Sequence, residues 1–284
     1  MADSPIDTET LCLDILRDID RDRYLACLLS PKEKRGALAA LYAFNAELAR
    51  IRDLVHEPLP GEIRLQYWRD LLSGGAHGST EANPIAAGLL NTVETYRLPI
   101  EPLQAMVEAR LFDLYDDAME SRSMFEGYAG ETASALIQLA AVILDPTQAA
   151  GCAEIAGHAG IAQSVAGQML LMPRQRARGQ IFIPLDILSA TGLDRDGFLA
   201  GIDGARIAAS IDAFAGLGFE HLQKARRAGR IPASLMPAFL TASLAEPVLK
   251  SARRAGIGVF SRDLRPSQWR RQWRMFKAST TRSI

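Results

Sequence analysis

The sequence has few of the features that mark a secreted, membrane-spanning or nucleic-acid-binding protein. Its three cysteines, Cys12, Cys27 and Cys152, are odd in number and lack metal-type spacing, which is typical of a reduced, cytosolic protein. Its 32 basic and 33 acidic side chains give a net charge of −1, so no overall field favours nucleic acid. No uninterrupted apolar run approaches the ~18 residues of a membrane-spanning helix, and the N-terminus, Met-Ala-Asp-Ser-Pro, lacks the apolar stretch of a secretory signal. We therefore expect a cytoplasmic location, with any membrane contact peripheral and on the inner face.

The sequence does contain many signals for the starts and ends of helices. Apolar residues make up 48% of the 284 residues, enough for a sizeable core. Ser30, Pro31 and Glu33 have the spacing of a capping box with proline at the first helical position, and they predict a long helix to about His56. A short extended segment is predicted at 179–184. Further helices are predicted at about 61–74, 83–98, 102–117, 123–144, 145–172, 185–190, 195–199, 205–228, 233–255 and 266–278.

Four stretches, in this order, resemble the squalene and phytoene synthase family. Residues 24–53 resemble the region that ends in the family's first signature helix, and Tyr128–Ser134 resembles its tyrosine-containing helix. The helix at 160–172 and the stretch Arg178–Pro184, which is similar to the family's G-R-x-Y-x-P, complete the set. The resemblance implies an all-α fold over residues 1–284, a single-domain isoprenoid synthase-type helical bundle around a central cavity.

The family's acidic motifs are where this sequence departs from the pattern. These enzymes join two isoprenoid diphosphates, and magnesium neutralises the departing diphosphate. Carboxylates at i and i+4 share a helix face and hold such ions jointly. Here Ala49 and Arg50 stand at the first two acidic positions, and only Asp53 remains. The second motif falls at 171–175, which contains no acid. We therefore expect no cofactor, with magnesium only if other acids rebuild the site.

A branch of the family that includes an assembly factor of respiratory complex I resembles this sequence more closely. The resemblance lies in residues 43–53, 61–69, 182–187 and 232–244. It implies a non-catalytic, membrane-peripheral role with complex I subunits or assembly intermediates as partners. Three hypotheses follow. The protein is a pseudoenzyme acting in complex I assembly, an active magnesium-dependent head-to-head prenyl transferase, or a carrier that holds an isoprenoid or another lipid without reacting it.

The catalytic alternative depends on three residual metal candidates, Asp53, Asp113 and Asp117. Asp53 is either a remnant ligand or a local ion-pair partner of Arg50 or Arg52. Asp113 and Asp117 have i, i+4 spacing on the helix predicted at 102–117, so they are either a chelating pair or part of a solvated last turn.

Other candidates could line a cavity or bind an anionic ligand. Arg64 shares a predicted helix with Trp68, so this helix either binds an anion or is an ordinary amphipathic helix with the indole in the core. Arginines at 174, 176 and 178 either meet phosphate directly or form a solvated basic loop. Tyr24 and Tyr128 either line the cavity or belong to the core, and the lone histidine His158 is either catalytic or structural. The cavity and ligand candidates are Tyr24, Asn45, Arg50, Arg64, Tyr128, Gln163 and Arg178.

The last predicted helix combines basic and aromatic residues. Trp269, Trp273 and Phe276 recur at i, i+4 and i+7, and basic residues such as Arg270 fill the positions between them. This pattern is typical of a helix lying on an anionic membrane. The alternative is that the aromatic side chains pack against the protein body and the arginines face water. These four residues are the candidates for membrane or partner contact.

Overall fold

The computed structural model describes residues 8–75 and 83–284, and within these residues it contains helices and no strand. The N-terminal pentapeptide on which the absence of a signal was predicted lies outside this range. The all-α prediction is confirmed. The α-helices are α1 (Thr8–Ile19), α2 (Arg21–Leu28), α3 (Arg35–Leu54), α4 (Pro58–Leu72), α5 (Pro84–Tyr96), α6 (Ile100–Ala109), α7 (Arg122–Ala129), α8 (Ala135–Leu144), α9 (Pro146–Ala149), α10 (Ala153–Ala177), α11 (Leu185–Ala190), α12 (Arg195–Ala200), α13 (Gly204–Arg227), α14 (Met236–Phe239), α15 (Ala245–Ala255) and α16 (Gln268–Thr281).

The chain divides into two compact units, each assembled from separate segments. The first contains the described residues up to Tyr115, together with Ala135–Gly151 and Pro232–Ala238. The second contains Asp116–Ser134, Cys152–Ile231 and Phe239–Ile284. The single domain around a central cavity therefore stays a prediction.

The first unit is built around α3. Residues 37–46 of this helix are mostly alanines and leucines, and they are buried on every side. Helices α1, α4, α5 and α8 pack against α3. Such an all-round apolar helix is expected only inside a core. On α4, Trp68 is 1% exposed and its ring lies edge-on to Phe44 of α3, with 4.9 Å between ring centroids. The core alternative for Trp68 is confirmed.

The second unit is built around α10. Its main neighbours are α13, α15 and a π-helical turn at Gly130–Ser134 that follows α7. Ser134 donates a hydrogen bond from Oγ to the carbonyl of Gly157, at 2.7 Å. Gly160 lies directly against the backbone of Ser134, where a Cβ would meet its N and Cα atoms. The missing side chain at Gly160 is what lets the π-helical turn approach α10 so closely.

The predicted helix starts have mixed outcomes, and the start at residue 83 is confirmed. Asn83 accepts from the backbone N–H groups of Ile85 and Ala86, at 3.1 and 3.3 Å, and so begins α5. The capping box at Ser30 is wrong, because the Ser30 hydroxyl donates to the carbonyl of Cys27 and α3 begins at Arg35. The helix predicted to begin at residue 123 begins one residue earlier, because Ser121 caps α7 by accepting from Met124 at 3.2 Å.

Several helix bounds differ from the predicted ones, and two of the differences occur at prolines. Pro58 occupies the first turn of α4, so this helix begins three residues earlier than predicted. Pro173 lies inside α10, which continues to Ala177 instead of ending near Met172. The helix predicted at 145–172 is split by a 3₁₀ turn at Ala150–Cys152, and the one predicted at 233–255 is broken into short pieces before α15.

One continuous helical stretch, Arg122–Leu144, is long and apolar enough to cross a bilayer. Its most apolar 18-residue window has a mean hydropathy of 1.3. The stretch contains Arg122, Glu126 and Glu131, so it does not contradict the sequence expectation that no uninterrupted apolar run of this length exists. Length and composition alone do not distinguish a membrane span from a core helix, and 61% of its most apolar window is buried within the structure. The stretch includes α7, the π-helical turn and α8.

Candidate functional site

The first signature position lies at the C-terminal end of α3 in the first unit. Ala49, Arg50 and Asp53 are all exposed there. Arg52 donates to the carbonyls of Val55 and His56, both at 3.3 Å, and so satisfies backbone acceptors just beyond the helix end. This end of α3 therefore presents one acid beside two arginines rather than a row of carboxylates.

The predicted chelating pair Asp113 and Asp117 is wrong as a helical pair. The helix that was predicted to carry both ends at Ala109, and Asp113 lies in a short 3₁₀ turn. Asp117 follows in a non-helical segment, so the i, i+4 geometry is absent. Asp113 forms an ion pair with Arg110 at 2.9 Å, and both side chains are 15% exposed. Its carboxylate therefore stabilises the end of α6.

A half-buried carboxyl that the sequence analysis missed lies one turn before Arg50. Burial raises the pKa of Glu47, and the opposing effects of the Arg64 charge and of a hydrogen bond from Trp68 offset this only in part. Arg64 is an exposed residue of α4, so the predicted anion-binding candidate neighbours an acid in the folded chain. The only sequence signal for this arrangement is Glu47 inside a helix that is otherwise apolar on that stretch.

The second signature position lies near the end of α10 in the second unit. Residues 171–175 are helical there, and Gln175 donates a side-chain hydrogen bond to Gln168, two turns earlier in the same helix. Arg176 donates to the carbonyls of Leu199 and Ala200, at 2.9 and 3.1 Å, and its guanidinium lies 4.5 Å from the ring centre of Phe260. The basic loop predicted here is therefore a helix end, at which Arg176 has a structural role and Arg178 is the half-buried C-cap.

The extended segment after α10 closes over this helix end. Gly179 has a φ of 74°, which turns the chain out of the helix, and residues 180–184 are all buried. Phe182 contacts Tyr128 of α7, with ring centroids 5.8 Å apart. The cavity that remains beside Gln168 and Phe182 measures about 10 Å³, room for about one water molecule and too little for a prenyl chain. Tyr128 is thus a core residue of this unit.

Two histidines and a glutamate form a chain of polar contacts inside the second unit. The Nδ1 atoms of His158 and His221 are 3.0 Å apart, and Nε2 of His221 is 3.3 Å from a carboxyl oxygen of Glu126. If His221 donates to Glu126, its Nδ1 accepts from His158, and this tautomer satisfies both contacts. His221 is 4% exposed, and burial lowers its pKa, with an opposing effect from Glu126 and a supporting one from the charge of His158.

This buried histidine makes the stability of the protein depend on pH. Because the folded-state pKa of His221 is lower than its unfolded value of about 6.5, its contribution to stability is complete above that value and is lost as the pH falls. We expect the free energy of unfolding to decrease below about pH 6.5, by at most about 1.4 kcal/mol per pH unit from this one group. Urea denaturation between pH 8 and 5 should show a shallower decrease for His221→Gln, and equal decreases would contradict the assignment.

The remaining cavity candidates are placed on helices of one unit or the other. Asn45 is 5% exposed in α3, and Tyr24 is half-buried in α2. Gln163 of α10 accepts a hydrogen bond from Thr241 at 3.1 Å, so its carbonyl oxygen connects two segments of the second unit. Their roles as ligand contacts stay predictions.

The aromatic residues of α16 do not pack on the protein body. Trp269, Trp273 and Phe276 are 64%, 63% and 52% exposed, whereas Met275 and Ala278 on the opposite face of the helix are buried. The guanidinium of Arg270 lies 5.5 Å from the ring centre of Trp269. The alternative of aromatic docking against the body is therefore wrong, and the membrane or partner alternative stays a prediction.

The residues at the two signature positions do not fit magnesium. Magnesium requires several hard oxygen ligands in octahedral geometry, and these positions offer Asp53 alone, beside arginines. In the ranges that the structure describes, no group of three or more histidine, cysteine, aspartate or glutamate side chains is placed to hold a metal ion. Asp53 and Asp113 belong to the first unit and Asp117 to the second, and their roles as metal ligands stay predictions.

Comparison with known proteins identifies the relatives of this chain. A sequence model of the squalene/phytoene synthase family matches residues 16–276. A human protein described as NADH dehydrogenase (ubiquinone) complex I, assembly factor 6, is 31% identical over 254 residues, which cover 89% of this chain and 76% of the human protein. A 15-cis-phytoene synthase of a Synechocystis strain is 24% identical over 69% of this chain and 61% of its own length. The crystal structure of squalene synthase HpnC from Alicyclobacillus acidocaldarius has a TM-score of 0.71 at 21% identity, covering 88% of this chain and 94% of that structure, which shows a common fold.

Proposed function

We propose that this chain, which belongs to the squalene/phytoene synthase family, acts as a non-catalytic factor in the assembly of respiratory complex I. The observation that carries the proposal is the replacement of the family's acidic positions by Ala49, Arg50 and the acid-free turn at 171–175. The human relative, whose name describes complex I assembly, supports the same direction because its similarity extends over most of both chains.

Charge explains why the family's chemistry is lost. Ionisation of an allylic diphosphate requires positive charge beside the departing diphosphate; magnesium would supply that charge, and several carboxylates would be needed to hold it. Arginines such as Arg50 repel divalent cations, so a single nearby acid, Asp53, cannot recruit them in a defined geometry. The half-buried Glu47 is surrounded by an indole donor and by Arg64, an environment that suits one isolated carboxyl group.

The partners that follow from this function are complex I subunits or assembly intermediates. A scaffold role requires a stable fold and a surface, and it places no demand on the acidic positions. The test is deletion of the gene in the organism that encodes it, followed by measurement of NADH–quinone reductase activity in its membranes. We expect this activity to fall several-fold and to be restored by the natural gene.

A second arm of the same experiment separates assembly from catalysis. A gene carrying Asp53→Ala and Asp117→Ala, two exposed acids, should restore reductase activity as fully as the natural gene. Unchanged reductase activity after deletion would contradict the assembly role. Restoration by the natural gene but not by the double variant, at equal protein levels, would contradict the non-catalytic part of the proposal.

A further inference from the structure

A basic groove lies between α15 and α16 in the second unit. It has a volume of about 840 Å³, and its lining includes seven lysine and arginine side chains and one acid, Asp263. The chain as a whole has a net charge of −1, so this density of positive charge is local. Two of the seven cations, Lys250 and Arg274, are also ion-paired to Glu246. The other five are Arg254, Arg265, Arg270, Arg271 and Lys277.

The Glu246 contacts fix α16 in place beside this groove. Glu246 lies within 2.5 Å of Lys250, 2.7 Å of Arg226 and 2.9 Å of Arg274. Burial alone raises the pKa of Glu246, but hydrogen bonds from Lys250 and Arg226 and the charges of the arginines lower it to about 2. Arg274 also donates to the carbonyl of Ser243 at 2.5 Å. Because these contacts hold the inner face of α16, its outer face has a defined orientation.

That outer face combines indole rings with cations. Trp269, Trp273 and Phe276 project away from the buried face of α16, and the rings of Trp273 and Phe276 are 6.1 Å apart. By helical periodicity, Arg270 and Lys277 lie along one side of this aromatic row, toward the groove. Tryptophan side chains prefer the boundary between headgroups and acyl chains, and neighbouring cations attract anionic lipids.

We propose that the outer face of α16 and the adjoining groove dock this protein on a bilayer of anionic phospholipid. The aromatic row enters the headgroup–acyl boundary, and the cations contact lipid phosphates. The charge excess of the groove favours an anionic surface over a neutral one. The projecting indole rings favour a lipid boundary over an acidic protein surface, on which they would need matching pockets. This docking surface is independent of the proposed function.

The test uses the full-length protein and vesicles of two compositions. We expect it to sediment with vesicles of equimolar phosphatidylcholine and phosphatidylglycerol and to remain in solution with phosphatidylcholine alone, and added salt should weaken the binding. The chain has three tryptophans, and Trp68 is buried, so a change in fluorescence reports Trp269 and Trp273. Brominated acyl chains should therefore quench this fluorescence in the anionic vesicles.

Two sets of variants separate the aromatic and the basic contributions. Arg270→Gln with Lys277→Gln should lower the partition coefficient on anionic vesicles about thirtyfold, as expected for two cations near the surface. Trp269→Ala with Trp273→Ala should abolish quenching and weaken sedimentation. Lys32→Gln with Lys34→Gln removes the same charge at the turn before α3, outside the groove, and should bind like the natural protein. All of these side chains are at least partly exposed, so circular dichroism should show unchanged helix content.

Several outcomes would overturn the proposal. Equal sedimentation with neutral vesicles would show that the cations do not select the lipid. Absence of sedimentation, together with binding to soluble polyglutamate, would assign the surface to an acidic protein. Concentration-dependent dimerisation that is lost with Trp269→Ala and Trp273→Ala, without vesicle binding, would assign it to a second copy of this chain. Unchanged vesicle binding by both the Arg270→Gln/Lys277→Gln protein and the Trp269→Ala/Trp273→Ala protein would place the membrane contact elsewhere on the protein.

Discussion

Replacing Gly160 by alanine should destabilise the protein by about 1–3 kcal/mol, the usual cost of forcing an extra group into a packed interior. The added Cβ would fall on the backbone N and Cα atoms of Ser134, well inside van der Waals contact. Neither α10 nor the π-helical turn can yield easily, because the Ser134 hydroxyl is bonded to the Gly157 carbonyl. Urea denaturation followed by circular dichroism should show the loss as a lower midpoint.

Gly167→Ala is the matched control for this effect. Gly167 lies in the same helix, and a Cβ there would meet nothing within 4 Å. Alanine has a higher helix propensity than glycine, so this variant should be more stable than the natural protein by about 0.5–1 kcal/mol. Equal midpoints for the two variants would show that the close approach of α10 to Ser134 is not a real constraint.

Replacing Trp68 by alanine should cost about 3–5 kcal/mol, the largest effect that we expect from a single substitution in the first unit. The indole is fully enclosed, and it contacts the rings of Phe44 and Tyr67 with centroids 4.9 and 5.3 Å apart. Truncation would leave a cavity between α3 and α4 and would remove the hydrogen bond to Glu47. Differential scanning calorimetry should show a strongly lowered melting temperature.

Two further variants divide this effect into packing and polar parts. Trp68→Phe keeps most of the apolar volume but removes the N–H donor, so it should cost about 1–3 kcal/mol through the half-buried Glu47 carboxyl. Ile63→Ala changes a residue of the same helix that is 64% exposed, and should shift stability by less than about 0.5 kcal/mol. A Trp68→Ala protein as stable as Ile63→Ala would contradict the placement of the indole in the core.

The sequence predicted those parts of the fold that depend on neighbours within a few residues. Asn83 and Asp145 both precede proline, and each side chain accepts from the first turn of the helix that follows. The capping box at Ser30 failed for a local reason, and other failures come from tertiary contacts. Pro173 does not end α10, because Gln175 bonds to Gln168 and Arg176 is held by carbonyls near residue 200. Propensity alone cannot represent such tertiary support.

Some features of the candidate site could likewise be predicted from the sequence, and others could not. The loss of the acids at Ala49, Arg50 and 171–175 could be recognised in the sequence, since the motif positions are fixed along the chain. His158 and His221 are 63 residues apart in the sequence, so no short sequence motif could predict their contact. The environment of Glu47 likewise exists only when α4 packs against α3. The pair at 113 and 117 failed because a helix that was assumed to continue ends at Ala109.

The central claim is that this fold has lost metal-dependent ionisation of isoprenoid diphosphates, and release of diphosphate tests it most directly. The purified protein should be incubated with farnesyl or geranylgeranyl diphosphate and magnesium, beside an active squalene synthase as a positive control. We expect no diphosphate above the protein-free blank. Magnesium-dependent release that disappears in Asp53→Ala would contradict the claim, because it would show that the remaining acid still assembles a working metal site.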